Sequence, residues 1–183
     1  MGIEVRVLLP GQAMRTVHLA VVACVALLGG CAGLPTPVAS SGTGGTSGTT
    51  PSSSSIAADI VKYTNNARAR NGVAPLVANQ KLMDAARIQA QQMAQYQVAD
   101  HTISGAPYPT LLSRLQAVGY VYSKAAENVA WNQRDAQSVL NSWMTSSSHR
   151  ANILDPNLKE IGAALARSSK GEPYWIQVFG TPR

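Results

Sequence analysis

Between residues 32 and 55, twenty of twenty-four positions are Ser, Thr, Gly or Pro, with no charge, no aromatic ring and no apolar periodicity. A stretch of this kind buries too little apolar surface to offset the entropy of ordering it, so it takes no part in a core. As a flexible coil its r.m.s. reach is about 25–30 Å. This one feature divides the 183-residue chain into a leader, a tether and a single unit of folding size, residues 56–183. The whole-chain charged fraction of 13% therefore describes none of the three parts, because leader and tether both dilute it.

Upstream, Leu19 to Leu28 is ten apolar residues without a charge, preceded by Arg6 and Arg15 and followed by Gly29-Gly30-Cys31. The run is too short to span a bilayer and has the layout of a signal peptide. Leu28-Gly29-Gly30-Cys31 resembles a bacterial lipobox. That implies removal of residues 1–30, a lipid on Cys31, and attachment of the protein to the extracytoplasmic face of the cell membrane. Ordinary secretion with cleavage near Ala32 is the alternative. Met14-Arg15-Thr16-Val17-His18 heads a complete signal of its own, which makes Met14 a second candidate start. Cys24 would leave with the leader, so residues 31–183 would hold one cysteine and no disulfide.

The 128 residues from 56 to 183 are enough to bury roughly two thirds of their unfolded surface around one core. Ser55 can cap a helix whose apolar positions Ile56, Ile60, Val61, Thr64 and Ala67 share a face, with Gly72 as its stop. Gly72 to Leu76 reads as a turn. Leu82, Ala86, Ala90, Met93 and Ala94 form one stripe of a second helix over 79–96. Residues 97–109 read as a loop, Thr110 to Val118 as a short helix, and Glu127-Asn-Val-Ala130 as a short strand. Asp135 caps a further helix over 136–145. The tail then alternates with period two at 161–166 and 174–179 around a Ser-Ser-Lys-Gly-Glu turn, a closing β-hairpin. Helices first and strands last predict an α+β domain with an antiparallel sheet covered by helices.

Chemistry has few carriers. With His18 in the leader, His101 and His149 are the whole imidazole inventory of residues 31–183, and Glu127 stands out among eight acids by its apolar surroundings, Ala125-Ala-Glu-Asn-Val-Ala130. A carboxylate there must find a partner or shift its pKa. Two imidazoles and a carboxylate form a sensible partial shell for Zn²⁺ or another divalent ion, with water completing it. Spacings of 26 and 22 residues are not a local metal motif, however. Taken alone, each histidine reads first as a structural residue, a hydrogen-bonded loop residue or helix cap, and Glu127 is open to binding the backbone amides of a neighbouring turn. Ser146-Ser-Ser148-His149 invites a nucleophile reading, yet no Gly-x-Ser-x-Gly elbow exists and the serines serve equally as a helix cap. Thirteen Lys and Arg against eight acids give residues 31–183 a net charge of +5, scattered along the chain. That pattern suits anionic envelope polymers or lipids, not a nucleic-acid stripe.

The ordered set Asn65-x-x-Arg68-x-x-x-Gly72-x-x-Pro75-Leu76, Leu82, Ala85-Ala86, Met93-Ala94, His101, Gly119-Tyr120, Glu127-Asn128-Val129-Ala130, Trp143-Met144, Ser146-x-x-His149-Arg150-Ala151-Asn152-Ile153-Leu154, Glu160-Ile161-Gly162 and Tyr174-Trp175-x-Gln177-x-Phe179-Gly180 resembles the bacterial branch of the CAP (SCP-like) superfamily. The resemblance spans nearly all of 56–183 and implies a three-layer α-β-α sandwich with a central antiparallel sheet. It also implies a cleft of two histidines and two acids, carried over onto His101, His149 and Glu127. The second acid would follow Trp143 by three positions, where Ser146 stands instead, which leaves two His and one Glu. Members of the superfamily are linked to lipid or sterol binding, divalent-metal binding and, in isolated cases, proteolysis. The expectation is a lipid-anchored, monomeric, extracytoplasmic binding module whose cleft takes a divalent metal such as zinc or a small lipid-like ligand. The alternatives are a metal-assisted hydrolase with Glu127 as base, and a structural envelope protein with a vestigial cleft.

Overall fold

A computed structural model describes residues 53–183. The expectations for the leader, Cys31 and most of the tether lie outside the described residues. The first helix, α1 (Ser53–Arg70), begins two residues ahead of the expected Ser55 cap and ends with Arg68 and Arg70 in its last turn, where cations favour the helix dipole. Gly72 then takes φ +70°, the left-handed conformation that glycine reaches without a Cβ penalty, and the chain reverses.

Where the sequence reads as a plain turn, a two-residue strand β1 (Val77–Ala78) follows. Two residues are too few to show a period of two, which is why the strand is invisible to pattern. Asn79 next caps α2 (Gln80–Tyr96), its side chain accepting from the N–H groups of Lys81 and Leu82. Thr110 opens α3 (Leu111–Ala117) in a capping box with Ser113. The strand β2 (Tyr122–Trp131) is ten residues long, well beyond the four expected, because its pairing with the last strand carries the weakly strand-forming Ser123 to Ala126. Asp135 caps α4 (Ala136–Thr145) as expected; α5 (Ser147–Leu154) follows at once, then the hairpin of β3 (Glu160–Arg167) and β4 (Pro173–Pro182).

The sheet runs β1-β3-β4-β2. Its three long strands are antiparallel, and β1 adds a short parallel edge against Glu160 and Ile161. One bulge interrupts β2 between Tyr122 and Lys124, which pair with the adjacent residues Pro182 and Thr181. Side chains alternate across the strands. Ala164, Ile176 and Val178 face the core under α2 and α3, whereas Ile161, Ala163, Trp175 and Phe179 face the core under α1, α4 and α5. The result is the α-β-α sandwich. α2 lies very close to the sheet: a Cβ at Gly162 would stand 2.0 Å from the Leu82 carbonyl carbon. No described helix is long and apolar enough to cross a membrane.

Candidate functional site

The alternation of β2 sends the neighbours Glu127 and Asn128 to opposite faces of the sheet, and each anchors one histidine-bearing segment. On the α2/α3 side, His101 sits in the 97–110 loop, which α2 leaves through Gln97 at φ 53°. Side chains of α2 fix that loop: Gln89 Nε2 donates to the Asp100 carbonyl at 2.6 Å, and Gln92 bonds both the N–H and the C=O of Tyr108 at 3.1 and 3.0 Å. The His101 ring is 43% exposed and its Nδ1 lies 2.9 Å from Glu127 Oε1, while the Glu127 side chain is only 3% exposed.

The second oxygen of Glu127 accepts from Arg114 of α3 at 2.8 Å, and Arg114 is fully buried. Its guanidinium also donates to the His101 carbonyl and the Tyr108 carbonyl, both at 3.2 Å, and its Nε has no partner among the described residues. One buried cation thus binds the carboxylate and the loop that carries the imidazole. The hydrogen bond to Glu127 raises the His101 pKa above its ordinary value, burial opposing it.

On the other face, Asn128 Nδ2 donates to the His149 carbonyl at 3.1 Å and to Gln177 Oε1 at 3.1 Å, and Gln177 Nε2 donates to Thr64 Oγ1 at 2.6 Å. Asn152 of α5 closes the network, donating to Asn128 Oδ1 at 2.9 Å and to the Glu127 carbonyl at 3.2 Å. Trp143 Nε1 donates to the Val129 carbonyl at 3.1 Å and pins α4 to the same strand. His149, half-buried on α5, is held through its backbone, and neither ring nitrogen has a hydrogen-bond partner among the described residues. Burial lowers its pKa, and the nearby His101 lowers it further. The two imidazoles therefore lie within range of each other's charge.

Glu127 and His101 meet in a hydrogen bond, while His149 is joined to the same strand through its carbonyl and Asn128. Glu127 differs in role, since both of its oxygens are engaged. Among the described residues no three of His, Cys, Asp and Glu gather tightly enough to hold a metal ion between them. Ser146 sits at the α4–α5 junction without a side-chain cap bond, its Oγ 3.3 Å from Ser148 Oγ. No serine hydroxyl reaches His149 among the described residues, so the Ser–His nucleophile reading has no geometry behind it. Arg114 is the residue that sequence reasoning missed. Its one signal is a charge flanked by Leu111, Leu112 and Leu115 on a helix too short to show a polar face.

The fold is that of a CAP domain. Residues 61–179 match the cysteine-rich secretory protein family, CAP, and the chain belongs to it. It is 33% identical over 137 residues to the "Uncharacterized protein YkwD" of Bacillus subtilis (strain 168), covering 73% of this chain and 51% of that one. The chain thus spans about half the length of that curated relative. Among solved structures, an extracellular protein containing a SCP domain from Bacillus anthracis is similar at TM-score 0.64 and 25% identity, over 70% of this chain and 41% of that one. An outer surface protein from Borrelia burgdorferi shares the fold at TM-score 0.62 and 18% identity, over 68% of this chain and 90% of that one.

Proposed function

We propose that this chain is an extracytoplasmic binding module, tethered to the membrane through Cys31 and the Ser/Thr/Gly/Pro-rich segment that follows it, whose ligand site is formed by His101 and His149. The carrying observation is the bond from His101 Nδ1 to Glu127 Oε1 at 2.9 Å, backed by Arg114. It fixes the ring and leaves Nε2 without a partner among the described residues, and burial lowers the pKa of the second imidazole, His149. A divalent ion such as zinc is the ligand this reading assigns to the two imidazoles. Two imidazole nitrogens and water would supply the shell, and Glu127 would act as the carboxylate that stands behind metal-bound histidines. With both oxygens engaged, Glu127 positions His101 and is poorly placed to act as a base on water, which favours binding over hydrolysis. The description of the Bacillus anthracis relative as extracellular supports the compartment. The net +5 of residues 31–183 suits an anionic envelope lipid or polymer as partner.

Calorimetric titration of Zn²⁺ into a soluble Cys31→Ser chain tests the site, with His101→Ala and His149→Ala beside it. Saturable heat that both substitutions remove is expected. No heat in the parent, or unchanged affinity in both variants, overturns it. Because His101 must give up a proton to bind the ion, affinity should rise as pH increases through its raised pKa. Fractionation tests the anchor: the unmodified chain should sediment with membranes and Cys31→Ser should not.

A further inference from the structure

Beyond Ile161 the outer edge of β3 has no strand beside it among the described residues. β1 pairs only Glu160 and Ile161 before the chain enters α2. The carbonyls of Lys159 and Ile161 accept outward, from Val77 and Asn79, whereas the Ser168 N–H bonds inward to Glu172. By this parity the C=O of Ala163 and both backbone groups of Leu165 and of Arg167 face outward, without a strand partner among the described residues. The remaining outward group, the Ala163 N–H, reaches only Met83 Sδ at 3.2 Å, a weak acceptor on a flexible side chain.

This edge forms the floor of a groove of about 840 Å³ between α1 and α2, walled by Ala57, Ala58 and Val61 on one side and Met83 on the other. A cation stands on each wall, Lys62 and Arg87. Lys62 has no ion partner among the described residues, and Arg87 is shared with the exposed Asp84 at 2.6 Å.

An acyl chain would fill the apolar walls but bury the edge N–H and C=O groups unpaired, at about 1–3 kcal/mol each. A second copy cannot reach them, because its own β3 edge is recessed between the same two helices. An added peptide strand pairs them all. We propose that the α1–α2 groove docks an extended peptide by strand addition to β3, over about five residues or 16 Å at 3.3 Å per residue. A carboxylate on the peptide would lie between Lys62 and Arg87. The site is separate from the histidine cleft and does not rest on it.

The test is selection of a displayed random hexapeptide library on the Cys31→Ser chain, followed by synthesis of the enriched peptides with single N-methylated amides. Binding should fall at least tenfold when every second amide is methylated in turn and stay unchanged at the amides between. Ala58→Trp, at an exposed wall position, should abolish binding, and Lys62→Glu should weaken carboxylate-bearing peptides severalfold. His101→Ala should leave binding intact, so failure of this site and failure of the metal site are distinguishable. An empty selection overturns the proposal, as do binders indifferent to N-methylation or to Ala58→Trp. Saturable dodecanoate binding that Ala58→Trp removes while no peptide is enriched would assign the groove to acyl chains instead.

Discussion

Replacing Arg114 by Met keeps the volume of its side chain and removes its charge. The carboxylate of Glu127, 3% exposed, then keeps only His101 as an ionic partner, and the carbonyls of His101 and Tyr108 lose a donor each. Breaking a buried pair from one side costs about 3–5 kcal/mol. For a domain of this size that lowers Tm by on the order of 10–20 °C. The informative readout is His101 itself. Its pKa is raised chiefly by the bond to Glu127 and held back in part by the positive charge of Arg114. Removing that charge should raise the pKa further, whereas general loosening of the loop would return it toward 6.5. Imidazole NMR titration of folded Arg114→Met below its Tm separates the two. Glu127→Gln should move His101 the opposite way, and the double substitution should recover part of the stability lost in Arg114→Met. A His101 pKa that falls in folded Arg114→Met, or a stability loss below about 1 kcal/mol, refutes the reasoning.

Other expectations follow from the same geometry. The His149 pKa lies below its unfolded value, so the unfolded chain takes up a proton first and stability falls as pH drops below 6.5; His149→Gln should flatten that acid limb in denaturant titrations. His101 has the reverse sign, its contribution being complete below 6.5 and lost as pH rises through its raised pKa. Asn128→Ala should cost about 1–3 kcal/mol by leaving buried Gln177 and the His149 carbonyl short of a partner, and should perturb the proposed zinc site more through α5 than through His101. Gly162→Ala places a Cβ against α2 backbone, with no flexible side chain to yield, and should cost about 3 kcal/mol or more in chemical denaturation.

Local features of the chain were readable where one residue type does one job. Asp135 and Asn79 mark helix starts because short polar side chains satisfy free N–H groups, and the 161–166 alternation marks a strand because both cores need it. Glu127 was legible from the cost of placing a carboxylate among alanines. The rest depends on distant partners. Arg114 is buried only because Glu127 arrives thirteen residues later, and Arg68 only because it reaches carbonyls at 153, 155 and 158. A lone arginine on a helix carries no mark of either fate. The length of β2 is likewise a property of β4, and the partnership of Asn128 with α5 belongs to neither segment alone.

The bulge at Tyr122–Lys124 bears on which length changes the gene can survive. From Lys124 to Trp131 every residue of β2 has one partner on β4, and the opposite orientations of Glu127 and Asn128 depend on that count. One codon gained or lost within this stretch would exchange them, turning the carboxylate toward α5 and the amide toward Arg114. Before Lys124 the strand already carries an unmatched residue, Ser123, so the same change there is absorbed as a different turn. Insertions and deletions among relatives that keep the cleft should therefore collect ahead of Lys124 and after Trp131, leaving the eight positions between them constant in number.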